Sequence, residues 1–90
     1  MQLCKMNRVK IMNRKVYDSV LNGKADNNID FSDFRNLIID LGFTFKNQEG
    51  SHIVYYHYGI NEIINIQKKG NKAKDYQVRQ LRKIIKKHDI

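Results

Sequence analysis

The hydrophobic period of this chain changes at Leu41-Gly42-Phe43, and that change decides what it can fold into. Before it, Phe31, Phe34, Ile38 and Leu41 recur at helical spacing, with Leu37 beside them. Asp30 stands where an N-cap belongs, Asp33 adds negative charge to the first turn, and Gly42 stands where such a helix ends. After it the period is two: "FTFKNQ" alternates, "SHIVYYHY" is rich in strand formers, and "EIINIQ" alternates again. "NQEG" and "YGIN" carry the turn residues that join such segments as antiparallel hairpins. A three-stranded meander is expected.

Helices flank it on both sides. Val16, Tyr17, Val20 and Leu21 predict a short amphipathic helix over residues 13–22, ended by Gly23 and the polar loop "GKADNN". After "KKGNKA" a last helix is expected over residues 75–88. At about 100° per residue, Val78, Leu81, Ile84 and Ile85 share one sector of that helix, and Arg79, Arg82, Lys83, Lys86 and Lys87 share another. One stripe is for burial, the other a row of cations. The order α-α-β-β-β-α predicts an α+β, two-layer sandwich with the helices on one face of a three-stranded antiparallel sheet and the other face open. Ninety residues allow one core, so a functional site is expected on the surface.

The formal net charge is +8, unevenly spread. From Lys68 to Lys87 there are nine basic residues against Asp75 alone, a balance that favours a polyanionic partner, nucleic acid or an acidic protein. Cys4 is the single cysteine, so no internal disulfide forms, and no Cys/His group has zinc spacing. No apolar run reaches the length of a signal peptide or a membrane span. A cytoplasmic protein without membrane contact, metal or cofactor is expected.

Within "QEGSHIVYYHY", His52 stands at the root of the second strand. Strand alternation puts Ser51, Ile53, Tyr55 and His57 on one side, and His52, Val54, Tyr56 and Tyr58 on the other. Both sides hold apolar groups, so the parity is ambiguous. Taking Ile53 and Tyr55 as core places His52 on the open face, with Tyr56 and Tyr58 as candidate surfaces for base stacking. On the residues alone, a half-exposed structural histidine is the commoner outcome. His57 reads as buried, and His88 as a cation favoured at a helix C-terminus.

The stretch "FSDFRNLIIDLGFTFKNQEGSHIVYYHY", with the terminal "YQVRQLRKIIKKH", resembles the HicA toxins of bacterial and archaeal toxin–antitoxin pairs. Leu41-Gly42-Phe43, then Gly50-Ser51-His52, then the closing amphipathic helix carry the likeness. It implies a fold like the double-stranded RNA-binding domain (dsRBD) over residues 30–90, preceded by an extension, 1–29, with its own short helix. It also implies an mRNA interferase acting on RNA without a cofactor, monomeric when free and inhibited by a HicB-type antitoxin. The family's catalytic histidine falls on His52, with Gly50 and Ser51 as supporting motif. Expected phosphate contacts are Lys46, Lys68 and Lys69, nearest in sequence to the sheet rim, with Lys72 and Lys74, and Arg79, Arg82, Lys83 and Lys86 on the last helix. Many relatives have prolines and another histidine before that helix, where this chain has "IQKKGNKAKDY". The alternatives are a non-catalytic RNA-binding module of the same fold and a small DNA-binding or ribosome-associated protein.

Overall fold

The period change at Gly42 is a boundary between two layers. The computed structural model describes residues 14–90, so Cys4 and the expected helix start at Asn13 lie outside the described residues. Helix α1 spans Arg14–Asn22 and α2 spans Phe31–Asp40. Strands β1 (Thr44–Glu49), β2 (His52–His57) and β3 (Glu62–Ile66) follow, then β4 (Lys68–Lys69), β5 (Lys72–Ala73) and helix α3 (Asp75–His88). The main sheet is an antiparallel meander in the order β1-β2-β3. This is the expected α+β sandwich, compatible with a dsRBD-like fold.

Local chemistry sets the boundaries. Asp30 Oδ2 accepts hydrogen bonds from the Ser32 and Asp33 amides at 3.1 and 3.2 Å, capping α2. At the other end Gly42 takes φ +106°, a conformation that a side chain would strain. The core is built from Phe34, Leu37 and Ile38 of α2, Val20 of α1, and Val78, Leu81, Ile84 and Ile85 of α3. Tyr55, Ile64 and Ile66 are the buried sheet residues opposite them. Burying each such aliphatic or aromatic side chain contributes about 1.5–3 kcal/mol, so this shared core holds the layers together.

Tyr55 and the partly buried Ile53 point into that core. The parity left open by the sequence is therefore resolved: His52 projects from the open face. Along β1 the register slips between Phe45 and Asn47, a bulge that inserts Lys46. Its consequence is that Glu49, not Gln48, comes opposite His52.

Two features differ from the sequence expectation. The segment read as a simple connection, "KKGNKA", forms the β4–β5 hairpin, turning at Gly70 with φ +66°. It is stitched to the start of α2 by Phe31 N–H to Asn71 O and by Ala73 N–H to Ile29 O, both 2.9 Å. The cation row on α3 is also incomplete. Arg82 donates through both terminal nitrogens to Asp26 at 2.9 and 3.1 Å, and to Val20 O at 3.1 Å. Its side chain is 19% exposed, so it does not stand free in the expected row of cations and instead clasps α3 to the loop after α1. Asp26 raises the Arg82 pKa above its ordinary value by this hydrogen bonding, with burial opposing.

Candidate nucleic-acid site

The β1–β2 hairpin builds the site. Gly50 and Ser51 form a two-residue turn, with Gly50 at φ +64° and nothing within 4 Å of where a Cβ would sit. A positive φ at the first turn position alone fits a type II′ turn, so glycine serves backbone conformation rather than close packing here. The turn leaves Glu49 and His52 as facing neighbours at its base, both exposed.

His52 Nδ1 lies 3.3 Å from Asn65 Oδ1. Asn65 sits on β3 opposite Val54, two residues along from His52 on the same open face. Nε2 of His52 has no hydrogen-bond partner among the described residues. The ring is accessible and held by one nitrogen only.

Beside it runs a chain of side-chain amides. Gln67 Nε2 donates to Ser51 Oγ at 2.9 Å, and Gln67 Oε1 accepts from Lys74 Nζ at 2.8 Å. The Gln67 main-chain N–H donates to the side-chain Oε1 of the buried Gln77 at 2.8 Å. A buried amide with a partner costs little, whereas an unpaired one costs about 1–3 kcal/mol, so Gln77 fixes where Gln67 stands. Of the expected cations, Lys74 is therefore the one tied by hydrogen bonds to the Gly50-Ser51-His52 turn.

The other candidates are spread more widely. Lys68, Lys69 and Lys72 are exposed on the β4–β5 hairpin, with Lys68 Nζ 5.9 Å from the Phe31 ring centroid. The bulged Lys46 holds its Nζ 5.8 Å from the Tyr56 ring centroid. Tyr56 and Tyr58 meet edge to face, centroids 4.5 Å apart, so they make one aromatic ledge rather than two parallel platforms. The Tyr56 hydroxyl donates to Asn61 Oδ1. Arg79 is exposed and pairs with Asp75 at 3.4 Å. Lys83 and Lys86 are exposed farther along α3, on the helix layer and away from the open face.

At the far end of β2, His57 is placed differently. Its Nε2 donates to Leu41 O at 3.1 Å, and its Nδ1 accepts from the Gly59 amide at 3.1 Å. Its ring meets Phe43 edge on, with centroids 5.1 Å apart. Nearby, Glu62 accepts from His88 at 2.8 Å and from Lys87 at 3.4 Å. These contacts, His88 first, hold the Glu62 carboxyl below the usual range, with desolvation opposing.

Sequence reasoning missed Asn65, Gln67, Gln77 and Glu49. A signal for the first two was present in "IINIQ", where polar residues interrupt a strand at period two. Glu49 was hidden by the bulge, whereas Gln77 shares the helix sector of Leu81 and Ile84, a signal for its burial. Among the described residues no group of three or more His, Cys, Asp or Glu side chains is placed to hold a metal, and no helix is long and apolar enough to cross a membrane.

The family model described as the HicA toxin of bacterial toxin–antitoxin systems matches residues 31–90. No curated protein and no solved structure matches the chain. With 60 of its 90 residues covered, the chain belongs to the HicA family, toxins of toxin–antitoxin systems that are generally mRNA-cleaving ribonucleases.

Proposed function

We propose that this HicA protein is an endoribonuclease in which His52 moves the proton of an RNA 2′-hydroxyl. The observation that carries this reading is an exposed imidazole on the open sheet face, held at Nδ1 and unpartnered at Nε2. RNA brings its own nucleophile. Nε2 accepts the 2′-hydroxyl proton as O2′ attacks the adjacent phosphorus. The O2′–P bond forms, the P–O5′ bond breaks, and the departing oxygen takes a proton from solvent. The products are a 2′,3′-cyclic phosphate and a 5′-hydroxyl. Imidazole is the side chain best suited to give and take a proton near neutrality.

The negative charge that builds on phosphorus needs cations and hydrogen-bond donors. Lys74 stands nearest in bonding terms, through Gln67, and the Ser51 hydroxyl orients a phosphate oxygen. Lys68, Lys69, Lys72 and Lys46 extend the basic surface for the strand, with the Tyr56–Tyr58 ledge as a stacking surface. Arg79, Lys83 and Lys86 add longer-range attraction from α3. Residues 30–90 are the toxin domain and 1–29 an extension. A HicB-type antitoxin with acidic groups neutralises the toxin by covering His52. The substrate places the protein in the cytoplasm.

Purified protein incubated with RNA and EDTA tests the reading. Cleavage with EDTA present, lowered about 100-fold or more by His52→Ala, is the expected result, since general acid–base groups contribute about 10²–10⁴-fold. His52→Ala should still bind RNA, because the cations remain. Undiminished cleavage by that variant overturns the role of His52. Loss of cleavage in EDTA alone overturns metal independence.

A further inference from the structure

We propose that Asn65 is the positioning residue of this site: it selects the His52 tautomer that carries its proton on Nδ1 and leaves Nε2 bare. The proposal rests on the reading of His52 as the proton-transfer group and adds what makes the ring ready. An imidazole has two nitrogens, and the bond made by one decides the state of the other. Asn65 Oδ1, 3.3 Å from Nδ1, can only accept, so Nδ1 must donate. That leaves the lone pair on Nε2, the nitrogen without a hydrogen-bond partner among the described residues. Free imidazole side chains favour the opposite tautomer, so the working form needs a partner to select it.

The register makes Asn65 the suitable partner. Val54 and Asn65 are paired across β2 and β3, which places Asn65 diagonal to His52 on one face. Gln67, which follows β3 and would extend the pairing opposite His52, is occupied with Ser51 and Lys74. Glu49 faces His52 from β1 but makes no hydrogen bond to it among the described residues. At 3.3 Å the Asn65 bond is long for N–H to O, as such bonds often are before substrate tightens the site. His57 carries the complementary arrangement, donating from Nε2 and accepting at Nδ1. One strand thus holds two histidines in opposite tautomers.

This gives the experiment an internal reference. In protein with ¹⁵N-labelled histidine, His52 should show a protonated Nδ1 and His57 a protonated Nε2 above the titration range. Asn65→Ala should move His52 toward the Nε2-protonated form and leave His57 unchanged. In single-turnover cleavage the same variant should lose about tenfold in rate with substrate affinity unchanged. Asn65→Asp, nearly identical in shape, should keep the tautomer. Its carboxylate accepts from Nδ1 as the amide oxygen does, so this variant should also restore the single-turnover rate lost in Asn65→Ala.

A wild-type His52 protonated on Nε2 would overturn the proposal, because Asn65 would then be donating its amide. An Asn65→Ala spectrum with His52 unmoved would overturn it equally. If Asn65→Ala disturbs His57 as well, the spectrum of Asn65→Asp decides, and a His52 found protonated on Nε2 there counts against the proposal. Failure of the catalytic reading appears separately, as cleavage that survives His52→Ala while the tautomers stay as described.

Discussion

Strand β2 ends in a histidine on each side, and the two are held in opposite ways. At one end both nitrogens of His57 are bonded to main chain, at Leu41 and Gly59, and the ring lies against Phe43. At the other, about 17 Å away along the strand, His52 stands exposed with a single side-chain partner. The odd separation of five residues sends them to opposite faces. Residue type therefore says little here; parity and the number of satisfied nitrogens are what separate the two rings. Exchanging the lesions tests this most sharply. His52→Ala should abolish cleavage with thermal stability unchanged. His57→Ala should leave the rate per folded molecule intact while lowering stability by about 1–2 kcal/mol, the net worth of its two hydrogen bonds, one part-buried and one exposed. A His57→Ala protein that is stable but inactive would dissolve the distinction.

The glycines beside the two histidines differ in the same sense. A Cβ on Gly42 would lie 2.7 Å from His57 Nε2, on a backbone at φ +106°. A Cβ on Gly50, at φ +64°, would meet nothing within 4 Å. Gly42→Ala has both strain and a clash to absorb, and should cost about 2–4 kcal/mol in denaturant unfolding. Gly50→Ala has only the left-handed backbone penalty, about 1–2 kcal/mol. Equal losses would mean that the His57 end is looser than its hydrogen bonds indicate.

The same contrast explains what could be read from the chain beforehand. The His57 end is built from period and capping: Phe31, Phe34 and Ile38 on a helix face, Asp30 and Gly42 at its limits, and Val78 to Ile85 on α3. Such features are local, and they were legible. The His52 end depends on pairings that local pattern does not encode. Asn65 reaches His52 only through the β2–β3 register, Glu49 only through the bulge at Lys46, and Lys74 only through Gln67. Arg82 was misjudged for a related reason. Its angle on α3 fits a cation stripe, yet Asp26, distant in sequence, draws it in. The β4–β5 hairpin was missed because a two-residue strand has no period to detect.

A pH series sharpens the comparison at its structural end. Glu62 joins β3 to the end of α3 through His88 and Lys87, and its pKa is lowered first by the His88 hydrogen bond. A carboxyl with a lowered folded-state pKa contributes stability above its unfolded value and loses it as pH falls through the folded value. Denaturant midpoints of the wild type should therefore drop on acidification through and below the ordinary carboxylate range. Glu62→Gln should start lower at neutral pH and fall less. Parallel curves would show that this ion pair is only a surface contact, and cleavage rates near neutrality should not respond to the substitution per folded molecule.

The smallest effect is the one that locates the RNA. Lys74 is held at the His52 end by Gln67, whereas Lys86 is exposed near the other end of α3. If the strand crosses the Gly50-Ser51-His52 turn, Lys74 neutralises a phosphate directly and releases a counterion on binding. Removing one such contact from a single strand reduces the slope of log affinity against log salt by about 0.7. Lys74→Gln should show that change, and Lys86→Gln a smaller one, because a cation away from the strand acts only through a screened field. The inactive His52→Ala background keeps the RNA intact during the titration. A slope that responds to Lys86 and not to Lys74 would move the RNA path onto the outer face of α3, away from the ring that is proposed to cut it.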